Sequence, residues 1–198
     1  MGFLFFLAPV SSVAAINLFS GLGNDFHTMP GQVIWVTGAG AGIACSVGSL
    51  AGGFAADRFG KATLYLTGGT LAGAVSVVLA LSPHSAAFFV PGVLLYNAIA
   101  GWCYAAFTAL QIELTGPDNP TAATQMGLFS ASTNAAIVYM TWADGQGYRL
   151  RGVRGLFLTD GLAAIAAGTL LLLFLRRRRP LAENLVHNEV TAACQPVE

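Results

Sequence analysis

Six apolar stretches alternate with short polar segments along the 198 residues of the chain. A helix needs about 20 residues to cross the roughly 30 Å hydrocarbon core of a bilayer, and each stretch is long enough. The predicted helices cover 2–20 with a kink at Pro9, 32–56, 62–82, 87–115, 123–143 and 156–175. The pattern therefore predicts an all-α integral membrane protein. Its bundle occupies residues 1–179, and we expect residues 180–198 to form a polar, disordered cytoplasmic tail.

Composition excludes an ordinary soluble domain, because only 9% of the residues are charged, against roughly 25% in typical globular domains. The basic residues also cluster. Six of the nine Lys and Arg lie in the segment between the second and third predicted helices and after the sixth, and the other three lie between the fifth and sixth. Cytoplasmic loops carry the excess of basic residues. We therefore expect both termini on the cytoplasmic side of the plasma (inner) membrane.

The stretch VIWVTGAGAGIA, residues 33–44, resembles a nucleotide-binding turn. Such a turn follows a strand, whereas small apolar residues continue here as far as Ala56. The dehydrogenases that carry this turn also need a Tyr-x-x-x-Lys pair, and Asp57 stands four residues before Lys61, the single lysine. The three cysteines form no CxxC or Cys/His pattern. We expect no enzyme activity, no cofactor, no metal site and no nucleic-acid partner.

Small residues recur at four-residue intervals in the second predicted helix. Small residues at this spacing let two membrane helices approach closely, although glycines here also suit a widened substrate path. The predicted helix-packing positions are Gly38, Gly42, Ser46, Gly48 and Gly52.

Polar residues follow one face of the fourth predicted helix, from Asn97 to Thr115, in steps of three and four. Polar groups are costly in hydrocarbon, so this face points either into a cavity or at a partner helix. The first and fifth helices carry shorter polar sets that allow the same two interpretations. The candidate cavity-lining residues are Asn17, Asn97, Tyr104, Thr108, Gln111, Gln125, Asn134 and Tyr139.

No ionisable residue falls near the middle of any predicted helix. Asp160 stands at the outer start of the sixth helix, Asp25 follows the first helix, and Glu113 belongs to an interface. Since proton-coupled carriers use intramembrane ionisable groups, we expect these six helices to supply packing and neutral hydrogen bonds, and any coupling acid to lie in a missing half of the protein.

The segment GGFAADRFGKA between the second and third helices matches GxxxDRxGK and resembles the signature loop of the major facilitator superfamily. A basic turn between two membrane helices is the plainer interpretation. The residue types give a physical reason for each position: Gly53 lets helices approach, Asp57 can cap the start of the third helix at its positive dipole end, and the basic pair anchors the cytoplasmic face. Ala62 departs from the family pattern, which has a further basic residue. The signature-loop residues are Gly53, Asp57, Arg58, Gly60 and Lys61.

Three other stretches resemble muropeptide permeases and acetyl-CoA-type transporters of that superfamily. One precedes the signature loop, NLFSGLGNDFH, and two follow it, TAATQMGLFSASTNAA and DGQGYRLRGVRGLFLTDG. The resemblance implies helices seven to twelve of a twelve-helix carrier. The expected partners are the lipid bilayer, a small-molecule solute, and a missing N-terminal six-helix half or a second copy. The implied function is secondary active transport, a symport of a sugar, peptide or acyl solute. The alternative is a self-contained six-helix protein acting as a homodimer or a non-transporting scaffold.

Overall fold

A computed structural model describes residues 5–11 and 13–193, and within these ranges every regular element is helical. A first segment contains the 3-10 turns Pro9–Ser11 and Ala14–Asn17 and the short helix α1, Phe19–Leu22. The long helices are α2, Pro30–Phe59, which contains a π turn at Val36–Gly40; α3, Lys61–Leu81; and α4, Ala86–Thr115. The last element, Ala122–Ala193, is interrupted at Arg151 and Gly152. We call its two parts α5 (122–150) and α6 (153–193).

The first segment crosses the bundle, but as a broken chain rather than the single helix predicted over 2–20. Val13, at φ 43° and ψ 38°, separates the two 3-10 turns. Phe6 packs against Tyr65 at the start of α3 and Phe107 near the end of α4, while Phe26 packs against Phe89 near the start of α4. Burial inside the protein makes the broken backbone tolerable at membrane depth. Residues 2–4 lie outside the described part of the chain.

Helices α5 and α6 form a tight hairpin, where the sequence predicts a loop over 144–155. The apolar element Ala122–Leu175 has 54 residues, more than twice what one crossing requires. Its backbone reverses at Arg151 (φ −139°, ψ 18°) and Gly152 (φ 61°, ψ −151°). Gly147 and Gly155 then lie backbone to backbone across the hairpin. The element therefore supplies two antiparallel crossings.

Close backbone contacts at glycines hold the long helices in pairs. A Cβ at Gly52 would lie 2.7 Å from the Cα of Trp102 in α4, and Gly48 lies against Ala98 one turn earlier. In the second pair, a Cβ at Gly161 of α6 would lie 2.6 Å from the carbonyl oxygen of Gly73 in α3. Such contacts between small residues are how membrane helices associate without a hydrophobic driving force.

Of the five predicted packing positions, Gly48 and Gly52 form these contacts, and the other three take no part in packing within this chain. Gly38, Gly42 and Ser46 are exposed on α2, and nothing lies within 4 Å of a Cβ added at either glycine. The four-residue spacing places them on a different face of α2 from Gly48 and Gly52. Gly53 of the signature loop is likewise open to a Cβ, so it makes no close helix contact here.

The loops gather at two opposite ends of the bundle. At one end the Tyr148 hydroxyl donates a 3.0 Å hydrogen bond to Asp25, and the Phe26 ring lies 5.3 Å from His84. At the other end Lys61 forms a 3.1 Å ion pair with Glu113. This alternation is the arrangement that successive crossings of a bilayer require.

The helical backbone continues to Ala193, past the boundary at residue 179 where the sequence predicts a disordered tail. Leucine, alanine and glutamate follow Pro180, and all three are strong helix formers. Residues 194–198 of the predicted tail lie outside the described part of the chain.

Candidate functional site

A cavity of about 250 Å³ opens between α4 and α5. Its walls combine aromatic rings with neutral polar groups, and no charged side chain contributes to them. The lining residues are Tyr65, Cys103, Tyr104, Phe107, Ser130, Thr133, Asn134 and Ile137. Pockets that are mostly apolar, with a few convergent polar groups, are the usual form of a small-molecule site.

The structure brings two of the eight candidate lining residues, Tyr104 and Asn134, into this cavity. Gln111 is buried instead and joins helices, because its amide donates to the hydroxyl of Ser130 at 3.1 Å. Asn97 is also buried and donates at 2.8 Å to the Val93 carbonyl of its own helix.

The remaining four candidates lie elsewhere. Tyr139 donates at 2.8 Å to the backbone carbonyl of Leu7 and so ties α5 to the first segment. Thr108 is exposed and bonds the carbonyl of Tyr104, one turn earlier. Gln125 is half-buried beside Thr121 at the start of α5, and Asn17 is exposed. The polar face of α4 therefore divides between the cavity and interhelical contacts.

A second polar cluster lies inside the bundle, where the sequence predicts no acid. Asp160 of α6 is only 2% exposed. Its Oδ2 accepts hydrogen bonds from the Ser76 hydroxyl at 2.5 Å and from the Tyr96 hydroxyl at 3.0 Å. The backbone of Ala15 also interacts with this carboxylate. Asp160 thus joins α3, α4, α6 and the first segment in the interior.

The position of Asp144 in α5 also differs from the sequence prediction of a loop over 144–155. It lies in a helix rather than at the start of a loop, and it is 0% exposed. Neither of its carboxylate oxygens has a hydrogen-bond partner among the described residues. Asp144 in α5 and Asp160 in α6 are both buried, on the two helices that the reversal at Arg151 and Gly152 joins. Buried polar groups are normally hydrogen-bonded, so an unpartnered carboxyl calls for an explanation.

The signature loop is a tight turn between α2 and α3. Gly60 stands between the helices with φ 83°, a conformation that favours glycine. Asp57 and Arg58 lie in the last turns of α2 and are exposed. The sequence prediction that Asp57 caps α3 is therefore wrong, because no side chain forms a cap hydrogen bond at the start of that helix. Lys61 opens α3 and faces the end of α4 through Glu113.

A family model described as Major Facilitator Superfamily matches residues 1–195. The chain belongs to the major facilitator superfamily. It is an integral membrane protein, and membership assigns it to solute transport across membranes. No curated protein and no solved structure gives a significant match, so the comparisons indicate no subfamily.

The sequence pattern predicted Tyr104 and Asn134 as cavity-lining residues, but it did not predict the other six residues that line the cavity. Tyr65 and Phe107 are aromatic residues in apolar runs, and such residues pack into cores in most proteins. Asp144 and Asp160 were missed because each stands near glycines and arginines that resemble a loop. The one feature of the sequence that links them is their similar distance from the Arg151–Gly152 break: Asp144 stands seven residues before Arg151, and Asp160 stands eight residues after Gly152.

Proposed function

We propose that this chain moves a small solute across the inner membrane as one six-helix half of a secondary carrier that works by alternating access. The observation that carries the proposal is the cavity between α4 and α5, which places Tyr104 and Asn134 on an otherwise apolar wall. The glycine contacts support the rocking part of the proposal. They join α2 to α4 and α3 to α6 backbone to backbone, and such close packing favours movement of each pair as a unit.

The substrate class that we propose is a muropeptide-like solute or another sugar, peptide or acyl compound. The stretches around Asn17 and Asn134, quoted above for their resemblance to permeases of such solutes, suggest this class. The chemistry of the cavity agrees with it. Aromatic faces such as that of Tyr104 suit sugar rings and acyl chains, and the amide of Asn134 and the hydroxyls of Ser130 and Thr133 suit neutral hydroxyl and amide groups.

The partner that we propose is a second six-helix bundle, supplied by an N-terminal half or by a second copy of this chain. Tyr104 lines the cavity and is 43% exposed, which leaves a face that a second bundle would complete. Alternating access requires two bundles that rock about a site between them.

Uptake of a labelled muropeptide into cells tests the function. The chain is expressed alone and together with a candidate N-terminal half, at equal membrane levels. Asn134→Ala should lower uptake about tenfold, as expected for the loss of a hydrogen bond worth roughly 1.4 kcal/mol. Ser46→Ala, which changes an exposed hydroxyl outside the cavity, is the matched control. Equal uptake by both variants, or no uptake above background in any combination, would overturn the proposal.

A further inference from the structure

A second cavity, of about 360 Å³, lies on the surface of the α5–α6 hairpin. Gly147 and Gly155 bring the two helices together there, backbone to backbone. Leu150 is 83% exposed and Leu162 is 58% exposed, so the cavity opens sideways to the surroundings of the bundle. It shares no lining residue with the cavity between α4 and α5. We call this space the hairpin groove; besides the two glycines it is lined by Leu150, Arg151, Leu158, Thr159 and Leu162.

Two arginines stand beside the groove at the tip of the hairpin. Arg151 lines the groove directly. Arg154 lies one turn before Leu158 and two turns before Leu162 on α6, so it shares their helical face. Among the residues whose side chains the structure describes, no carboxylate lies within ion-pair distance of either guanidinium group. The groove therefore joins an apolar channel to two positive charges that no described acid neutralises.

The length of α6 places these arginines at the level of the lipid headgroups. Residues 155–175 separate Arg154 from the run of arginines that begins at Arg176. At about 1.5 Å per residue this segment spans roughly 32 Å, close to the thickness of the hydrocarbon core. Leu162 then lies about 12 Å further into the membrane than Arg154. The groove thus runs from the headgroup level into the region of the acyl chains.

We propose that the hairpin groove binds one anionic phospholipid, with the phosphate against Arg151 and Arg154 and an acyl chain along Leu158 and Leu162. Guanidinium groups bind phosphate through paired hydrogen bonds, and basic pockets between membrane helices bind the headgroups of anionic lipids. Any lipid covers the leucines, so the arginines select the anionic one. The site does not depend on the proposed transport function.

A phospholipid matches both parts of the groove, whereas a soluble anion matches only its arginine end. The lipid also accounts for the charge at this end of the bundle. Basic residues concentrate on the cytoplasmic side of membrane proteins, yet the hairpin lies on the side that the sequence predicts to be external. A phosphate held between Arg151 of α5 and Arg154 of α6 joins the two helices across the break in the backbone.

Native mass spectrometry of the purified full chain tests the site, with phosphatidylglycerol and phosphatidylcholine of identical acyl chains as the two probes. One basic residue near an anionic headgroup raises affinity about fivefold, the equivalent of roughly 1 kcal/mol. With two such residues, the wild-type chain should retain one phosphatidylglycerol about 30-fold more tightly than phosphatidylcholine. Arg151→Gln and Arg154→Gln should each lower this preference about fivefold. Leu158→Trp, which fills the groove and keeps both arginines, should weaken binding of the lipid.

Arg149→Gln is the matched control. Arg149 stands two residues from both Gly147 and Arg151 and so lies on the opposite side of α5 from the groove. There its guanidinium group donates a 3.2 Å hydrogen bond to Gln146. The substitution removes the same charge from the same end of the bundle, and it should leave the preference for phosphatidylglycerol unchanged.

Four results would overturn the site. Equal retention of the two lipids by the wild-type chain is the first, and it needs no variant that folds. A loss in Arg149→Gln as large as that in Arg151→Gln would show a general attraction to the charged surface. Unchanged binding in Leu158→Trp would show that the lipid does not occupy the groove. Displacement of the lipid by an equal concentration of glycerol 3-phosphate would identify a site for soluble anions.

Photo-cross-linking identifies the occupant in cells. A photoreactive amino acid in place of Leu162 should capture anionic phospholipid in a larger share than the same amino acid in place of Leu170, which is 68% exposed outside the groove. Equal shares, or capture of a protein at position 162, would overturn the lipid site. Lipid selectivity without solute uptake would contradict only the transport function, and uptake without lipid selectivity would contradict only the lipid site.

Discussion

Gly48 of α2 lies against the backbone of Ala98 in α4, so closely that a side chain at Gly48 would overlap the Ala98 carbonyl group. Because the obstacle is backbone, no side-chain rotation relieves the overlap. One turn further along α4, Gly101 packs against the backbone of Cys45 in α2. The Ser49 hydroxyl of α2 also donates a 3.1 Å hydrogen bond to the Gly101 carbonyl. These residues fix the distance between the two helices.

Gly48→Ala should therefore destabilise the bundle by roughly 1–3 kcal/mol, the usual cost of overpacking a close contact. Thermal unfolding in detergent measures the effect as a lower midpoint. Gly42→Ala on the open face of the same helix is the control. It should be neutral or stabilising by up to about 1 kcal/mol, because alanine favours helix. Equal midpoints for the two variants would mean that α2 and α4 do not pack at Gly48.

Ser76→Ala should weaken the interior of the bundle, because it removes a donor from the buried Asp160 carboxylate. Hydrogen bonds between membrane helices contribute about 1 kcal/mol, so we expect a loss of roughly that size in the free energy of unfolding. Ser46→Ala is a matched change on α2, where the exposed hydroxyl bonds the carbonyl of Gly42 in its own helix. A destabilisation by Ser46→Ala as large as that by Ser76→Ala would argue against the buried contact.

Gly152→Ala should open the α5–α6 hairpin. Its φ of 61° with ψ −151° is a conformation that is essentially confined to glycine. We expect a cost of about 1–3 kcal/mol in unfolding experiments. Gly145→Ala, where a Cβ meets nothing within 4 Å, should cost nothing. An alanine tolerated equally at both positions would show that the chain does not reverse at Arg151 and Gly152.

Cysteine labelling tests the proposed orientation. With the native cysteines replaced by alanine, Asn24→Cys and Asp118→Cys place one thiol at each exposed end of the bundle. If both termini are cytoplasmic, a membrane-impermeant maleimide should label position 24 in intact cells. Position 118 should react only after permeabilisation. The reverse pattern would invert the topology that the basic residues predict.

The sequence predicted helices α2, α3 and α4 to within a few residues, because long apolar runs bounded by Pro30, Gly60 and Gly116 carry strong end signals. It failed at the α5–α6 hairpin. The segment 144–155 is rich in glycine and arginine and resembles a loop, while two residues suffice to reverse the chain. Because 144–155 was predicted to be a loop, Asp144 was placed outside the bundle, and its burial in the interior was not predicted.

Local spacing also could not decide which small residues pack. Gly42 and Gly48 stand in equivalent patterns on α2, and only the position of α4 distinguishes an exposed glycine from a buried one. The same limit applies to the polar face of α4. Periodicity showed that Tyr104 and Gln111 share a face, but Gln111 meets Ser130 of α5 whereas Tyr104 faces the cavity.

The broken first segment is synthesised before the residues that stabilise it. Around Val13 the backbone lacks continuous helical hydrogen bonds, and lipid offers it no substitutes. Ala15 finds its partner in Asp160, near the other end of the chain. This segment is synthesised before α6 and must therefore wait for that helix before it can settle. A cysteine at Ala14 should react with a thiol reagent in chains that end after α4 and be protected in the full chain; protection in both would show that the segment settles early.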